Sequence, residues 1–240
     1  MTPYLLVPII FLGAAFTQGI SGFGSSLVAM PLLLLFLDVK TAVPLCVLCS
    51  LIITGHLTMR LKSHMEISKI LPLFIGCVPG VFLGTIFLKN ADQNIIKLLL
   101  GIMLVCYAGY GLFIKLPDLV LHRFWSYPVG FATGVISSAF SAGGPPTIIY
   151  TTLSGWAKDT IKATLSGFFL LTSLAIITVQ VSTGLTTITV LKLFLSAAPA
   201  VVIGTWAGHF FYDKISPKTY IRTILILLAL MGIMMIWSAI

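Results

Sequence analysis

Two runs of glycine and serine decide the fold of this chain. The first is Gln18-Gly19-Ile20-Ser21-Gly22-Phe23-Gly24-Ser25-Ser26, and the second is Gly134-Val135-Ile136-Ser137-Ser138-Ala139-Phe140-Ser141-Ala142-Gly143-Gly144-Pro145-Pro146. Neither run carries a charge, and strongly apolar segments flank both. Closely spaced glycines let the backbone leave helical geometry. In a bilayer, irregular backbone is tolerated only where protein or a water-filled cavity satisfies its polar groups. The two runs therefore predict helix breaks that line a buried site.

The composition around these runs indicates a membrane protein. Of the 240 residues, 58% are hydrophobic and 8% are charged. Soluble domains carry roughly 25% charged residues, so this chain cannot cover a water-facing surface. The net charge of +8 comes from Lys and Arg in short loops, where it signals topology rather than a nucleic-acid partner. No Lys or Arg precedes Lys40, so the N-terminus lacks the charged region of a cleaved signal peptide.

The lengths of the apolar segments predict an all-α integral membrane protein with two short helices. A spanning helix needs about 20 apolar residues. Six stretches are long enough: 41–59, 67–88, 95–114, 160–181, 187–212 and 220–240. Segments 4–17 and 124–139 each end at a break. The stretches that follow the breaks, 25–37 and 145–156, are too short to span alone, which predicts broken or re-entrant helices there.

The second half of the chain repeats the first. Phe23 matches Phe140, 117 residues later, and residues 79–84 match residues 199–204, 120 residues later. We interpret residues 1–118 and 119–240 as two membrane repeats of about five segments each, together forming one transmembrane domain. With an odd number of segments, the second repeat is inverted relative to the first.

The distribution of Lys and Arg predicts the orientation. If each half contributes five segments, ten Lys and Arg residues lie on one side of the membrane and four on the other. The richer side is then cytoplasmic, and both termini lie outside the cytoplasm. If each short segment instead merges with its predecessor into one crossing, the count is eight against six, which decides nothing. The first arrangement is therefore favoured.

The breaks are the candidate binding site. Ser25 is expected to cap the short helix that follows it, and Pro145 and Pro146 suit the first turn of the other. Two helix N-termini near the membrane centre would present free amide groups to a small oxyanion. No Lys or Arg is near either break in the sequence, so amides and hydroxyls would supply the positive potential. The alternative is that glycine and serine only allow close helix packing.

The candidate substrate-binding residues are the polar, glycine and aromatic positions of the two breaks. They are Gln18, Ser21, Gly22, Phe23, Gly24, Ser25, Ser26, Ser137, Ser138, Phe140, Ser141, Gly143, Gly144 and Thr147.

The remaining polar residues argue against other chemistries. All six carboxylates lie at segment ends or in loops, whereas proton and cation carriers usually keep an acid within the membrane. The four cysteines fall in apolar segments and are interpreted as packing residues. No nucleophile–base pair, phosphate-binding loop or metal constellation is evident. The sequence therefore predicts neither an enzyme nor a cofactor or metal site.

The breaks also resemble a known family. Residues 21–33 are similar to the first signature of the TauE/SafE sulfite-exporter family, and residues 143–150 are similar to the second. The resemblance extends over essentially the whole chain and its two-half layout. It implies a multi-pass permease of the bacterial inner membrane that moves sulfite, sulfoacetate or related sulfur-containing organic anions. One departure is that Ser25 and Ser26 stand where many relatives have further glycines.

These observations predict a permease for a small anion that works by alternating access around a midplane site, and the resemblance implies sulfite or a sulfonate as that anion. The expected partners are that anion and the lipid bilayer, with a homodimer left open and no nucleic acid. A non-transporting membrane assembly or sulfur-handling factor is the alternative. Such a factor would be expected to present a polar docking loop, whereas the loops here are short.

Overall fold

The computed structural model describes residues 2–113, 121–211 and 217–239. These residues form ten α-helices and two short 3-10 helices, with no strand in the described ranges. The α-helices are α1 (Thr2–Ser21), α2 (Ser25–Leu33), α3 (Val39–Leu61), α4 (Ile67–Asn90), α5 (Gln93–Phe113), α6 (Ser126–Phe140), α7 (Gly144–Leu153), α8 (Lys158–Ser182), α9 (Ile188–Phe210) and α10 (Pro217–Ala239).

The helix lengths confirm the predicted polytopic, all-α membrane fold. Seven helices of the described ranges are long and apolar enough to cross a membrane, namely α1, α3, α4, α5, α8, α9 and α10. The helices after the breaks are short, with 9 residues in α2 and 10 in α7. The prediction for α2 was too long, because the helix ends at Leu33 and a turn follows it.

Many glycines of the long helices are packing positions. A Cβ atom at Gly76, Gly80 or Gly84 of α4 would collide with the backbone of α6. A Cβ atom at Gly204 or Gly208 of α9 would likewise collide with the backbone of α1. Without side chains at these positions, the paired helices approach closely, as small residues allow in membranes. The packing interpretation therefore holds for these glycines. Contacts advance in the same direction along both helices of each pair, so α4 runs parallel to α6, and α9 to α1.

Hydrogen bonds and ring contacts show which helix ends lie together. Lys40 Nζ at the start of α3 donates to Lys89 O at the end of α4, over 2.8 Å. Lys89 Nζ donates in turn to Thr183 O just after α8, over 3.1 Å. We call this the Lys89 end of the bundle. At the opposite end, Lys69 Nζ of α4 lies 4.8 Å from the centre of the Trp156 ring, just before α8. We call this the Trp156 end.

The two short helices turn back towards the ends from which their predecessors come. Leu121 N donates to Leu153 O over 3.1 Å, so α7 ends close to the segment that leads into α6, at the Trp156 end. The first hairpin starts from the other end, because α1 is parallel to α9 and α3 begins at the Lys89 end. The hairpins α1–α2 and α6–α7 therefore enter from opposite ends. Their tips meet where Ser141 Oγ donates to Ser26 Oγ over 3.2 Å.

Part of the predicted orientation can be compared with these ends. Lys40 and Lys89 lie at one end, and Lys69 lies at the other, as the five-segment arrangement requires. Lys115, Lys214 and the repeat boundary at 118/119 lie outside the described residues. The cytoplasmic assignment of the Trp156 end remains a prediction.

Candidate functional site

Both predicted breaks interrupt helical geometry, but the interruptions are shorter than the two glycine and serine runs. Residues 18–21 still belong to α1 and residues 134–140 to α6, so only residues 22–24 and 141–143 are non-helical. Between α1 and α2, Gly22 and Gly24 adopt left-handed φ values of 84° and 94°. Only glycine adopts this conformation without steric cost. Between α6 and α7, Ser141 has φ 55°, and it is the non-glycine residue with positive φ in the described ranges. A side chain in this region costs about 1–2 kcal/mol. That cost is often borne at functional sites.

The tips of the two hairpins line a partly open cavity of about 50 Å³. Helices α3 and α8 complete its wall. Nine of the candidate residues line it, and both breaks contribute. They are Gln18, Phe23, Gly24, Ser25, Ser26, Ser137, Ser141, Gly143 and Gly144. The structure therefore brings together most of the positions selected from the sequence, across more than 100 residues of chain.

Hydroxyl and amide side chains give this cavity its polarity. Gln18, Ser25, Ser26 and Ser137 are all buried in the protein. A hydrogen bond joins Ser25 Oγ to Gln18 Oε1. The expectation that Ser25 caps α2 is wrong, because Gly24 occupies the cap position and α2 has no side-chain cap. Ser25 is instead the first helical residue, and its hydroxyl orients Gln18.

The two short helices offer different numbers of backbone donors. The amides of Ser25, Ser26 and Leu27 lie in the first turn of α2, where amides have no partner within the helix. Pro145 and Pro146 do lie in the first turn of α7, as predicted. Prolines have no N–H, so Gly144 is the principal first-turn donor of α7. The start of α2 therefore presents more free backbone donors than the start of α7.

Five candidate residues do not line the cavity. Ser21 Oγ donates to Thr17 O and Phe23 O, and Gly22 packs against Lys162. Ser138 Oγ donates to Gly134 O within α6. The ring of Phe140 packs on Phe87, and Thr147 Oγ1 bonds to Thr133 Oγ1 over 2.6 Å. These contacts shape the hairpins around the cavity.

A lysine lies close to the first break, contrary to the expectation of an uncharged neighbourhood. Lys162 of α8 is 5% exposed. Its Nζ donates to Gly19 O and Ile20 O, at 3.3 and 3.4 Å, in the last turn of α1. Because the carbonyls at a helix C-terminus carry a partial negative charge, a cation stabilises them. Lys162 was missed because it is 140 residues from the break in sequence.

Helices α3 and α8 supply cavity residues that were not predicted. They are Val47 and Ser50 from α3, and Phe169, Thr172, Ser173 and Ile176 from α8. The signal in the sequence is slight: Thr172-Ser173 is a polar pair in the middle of an apolar span. On α8, the spacing of three and four residues places Phe169, Ser173 and Ile176 on one face.

This arrangement is that of a membrane transport protein, since broken helices that meet around a polar cavity characterise carriers. The chain belongs to the sulfite exporter TauE/SafE family, whose family model matches residues 6–235. No curated protein and no solved structure matches it. The family and the seven long helices together establish a multi-pass membrane transporter of the sulfite-exporter type.

Proposed function

We propose that this protein is a permease that binds a small sulfur-containing oxyanion, sulfite or a short sulfonate, in the cavity between the two hairpin tips. One observation carries the proposal: polar groups from both breaks line one small, partly open cavity. Its lining residues have hydroxyl, amide and backbone donors and no carboxylate. Such a lining suits an anion and disfavours a cation.

Neutral donors would hold the anion in this cavity. The first-turn amides of α2 and the partial positive charge of that helix end would face it. The hydroxyls of Ser26, Ser137, Ser141 and Ser173 surround the same space. A hydrogen bond to a charged group contributes roughly 1.5–3 kcal/mol. A site without an Arg or Lys clamp binds less tightly, which suits a carrier that must release its cargo.

Gln18 would act as an additional donor. Its Oε1 is paired with Ser25 Oγ, so the amide hydrogens on Nε2 are the part that Gln18 can offer to an anion. Gln18 is 3% exposed and lines the cavity. This pairing fixes the orientation of the amide and favours an anion over a cation beside Nε2.

Alternating access by two inverted repeats, 1–118 and 119–240, is the mechanism we infer. If each helix of the first half is replaced by its equivalent in the second half, and the reverse, the packed helix pairs map onto other packed pairs. The pair α1–α9 becomes α6–α4, and the pair α3–α9 becomes α8–α4. The pairs α3–α8 and α5–α10 map onto themselves. The hairpins entering from opposite ends also support inversion. The cavity would then open to each end in turn.

The proposed setting is a bacterial inner membrane with the Trp156 end in the cytoplasm. The Lys and Arg asymmetry supports this orientation. Lys40 and Lys89 at the opposite end would then face the outside. A second copy of the chain in a homodimer stays an open part of the proposal.

Purified protein in liposomes tests this function. Sulfite, methanesulfonate, sulfoacetate, acetate and chloride are loaded separately, and flux is measured in both directions. We expect sulfite or a sulfonate to move fastest. Gly144→Leu should abolish flux by filling the cavity, and Gly24→Leu should abolish it both by filling the cavity and by straining the left-handed backbone at this position. Gly109→Leu is the matched control, because no atom lies within 4 Å of a Cβ at Gly109. Equal flux in all three variants and the parent would refute the site.

A further inference from the structure

Several buried side-chain atoms of the described residues have no hydrogen-bond partner. Three of the residues that carry them, Thr85 of α4 and Thr164 and Gln180 of α8, are fully buried, and Thr85 and Gln180 lie beyond the cavity towards the Lys89 end. Thr85 Oγ1 and both amide atoms of Gln180 are unpaired. Most buried polar atoms in proteins are satisfied, and an unpaired one is destabilising. Three such atoms therefore call for a functional explanation.

The register of the two helices places these side chains at the same height. Cys77 Sγ of α4 lies 3.5 Å from Thr172 Oγ1 of α8, and Lys89 Nζ lies 3.1 Å from Thr183 O. Both helices therefore run in parallel with nearly constant register between these two contacts. Thr85 follows Cys77 by eight residues, and Gln180 follows Thr172 by eight. Because both helices rise equally per residue, Thr85 and Gln180 lie level with each other.

This pair of residues lies between the cavity and the Lys89 end. Thr172, Ser173 and Ile176 line the cavity. Gln180 is one helical turn past Ile176 on the same face of α8. Thr183, which holds the Lys89 ammonium group, is less than one turn further. An anion leaving the cavity along α8 towards this end would pass Gln180 and then reach Lys89.

We propose that Thr85 and Gln180 form a second binding position for the transported oxyanion, on the route between the cavity and the Lys89 end. This inference rests on the proposed function of the cavity. The hydroxyl of Thr85 and the amide of Gln180 donate hydrogen bonds without adding charge, as the cavity donors do. Both residues are closed off in this structure, so the position becomes accessible when the Lys89 end opens.

The chain supplies a matched control for the pair. Thr205 of α9 is the residue that corresponds to Thr85 in the repeat, 120 residues later. It is equally buried, but Thr205 Oγ1 donates to Val201 O within its own helix over 2.7 Å. A Thr→Val change therefore removes an unpaired donor at position 85 and a satisfied one at position 205.

Sulfite flux and sulfite binding in the same preparations test the inference. Flux in liposomes is measured for the parent, Thr85→Val, Gln180→Leu and Thr205→Val. Sulfite affinity is measured by calorimetry on purified protein, and folding by size-exclusion chromatography. We expect Thr85→Val and Gln180→Leu to lower flux roughly tenfold, the change that loss of one hydrogen bond to an anion implies. Affinity at the cavity should be unchanged, and Thr205→Val should transport like the parent.

The outcomes separate this inference from the proposed function. Failure of the parent to bind or move sulfite and the sulfonates would overturn the proposed function. If Thr85→Val and Gln180→Leu both move sulfite as fast as the parent, the second position is overturned and the proposed function of the cavity is unaffected. The two residues would then be a buried water site. Equal losses of flux in Thr85→Val and Thr205→Val would also overturn it, since they indicate a packing effect. If Gln180→Leu does not fold, Gln180→Asn takes its place, because it withdraws the amide by one carbon.

Discussion

Replacing Gly143 by alanine should disrupt the site, whereas the same change at the next residue should not. A Cβ atom at Gly143 would lie 2.6 Å from Thr133 O and 3.0 Å from Ser137 Cβ. Thr133 O is a backbone atom of α6, so the clash cannot be relieved by rotating a side chain. At Gly144 the nearest atoms are Ile148 Cδ1 at 3.2 Å and Phe23 Cδ2 at 3.9 Å. These are the ends of side chains, which can move.

The geometry sets the expected size of the effect. Gly143 has φ −74°, which any residue adopts, so backbone strain does not enter. Overpacking at a well-packed position typically costs 1–3 kcal/mol. If the hairpin tip bears that cost in its binding conformation, sulfite affinity falls roughly 5- to 150-fold in Gly143→Ala. For Gly144→Ala we expect a change of roughly twofold or less, since the one tight contact there, Ile148 Cδ1 at 3.2 Å, is the end of a flexible side chain that can move aside.

Calorimetric titration of sulfite into each purified variant is the assay, with flux in liposomes as a second measurement. Thermal unfolding of both variants shows whether a loss reflects the site or the whole fold. Affinity for sulfite that is equal in Gly143→Ala and Gly144→Ala would refute the claim that the α6–α7 tip must keep this close contact.

Two further predictions follow from particular contacts, and a third follows from the distribution of Lys and Arg. Ser141 Oγ donates to Ser26 Oγ in this structure and would turn to the anion on binding, so Ser141→Ala should weaken sulfite binding by at most about 1.5–3 kcal/mol, one hydrogen bond to a charged group. Unchanged calorimetric affinity would exclude this hydroxyl from the site. Lys162→Met should lower the melting temperature by several degrees, since two carbonyls of α1 lose their cation. Lys162→Arg should lower the melting temperature less, because it keeps a cation there. Equal melting temperatures for Lys162→Met and the parent would count against the capping role. Reporter fusions at Lys62 and after residue 240 should read as cytoplasmic and external respectively, and a cytoplasmic signal at both would overturn the five-segment repeat.

The helices and breaks could be predicted from the sequence because their causes are local. A run of about 20 apolar residues can satisfy its backbone in a membrane only as a helix. The glycines at 22 and 24 have no side chain to oppose a left-handed backbone. Such rules apply to neighbouring residues, so the ten helices and both interruptions followed from composition and spacing.

The parts that could not be predicted depend on residues that are distant in the chain. Lys162 contacts the end of α1 only because α8 packs beside the first hairpin. Ser50, Thr172 and Ser173 reach the cavity for a similar reason. No local rule indicates which face of a nearly uniform apolar helix points inward. Predicting the positions of these residues would have required knowledge of how the helices pack.

The predicted capping role of Ser25 was wrong for a different reason. A serine at a helix start is a common cap, but Gly24 takes that position with φ 94°. The left-handed turn moves the helix start by one residue. Ser25 is then free to bond Gln18 instead of the backbone. A one-residue shift therefore changed a capping group into part of the cavity wall.

A structure determined with bound selenite, the heavier analogue of sulfite, would test the central claim most directly. Anomalous scattering from selenium locates the anion without reference to the surrounding density. The proposal predicts a strong peak in the cavity, within hydrogen-bonding distance of the amides of Ser25 to Leu27 and of Ser141 Oγ on the opposite tip. A peak held by Lys or Arg side chains at either end of the bundle, with the cavity empty, would contradict it.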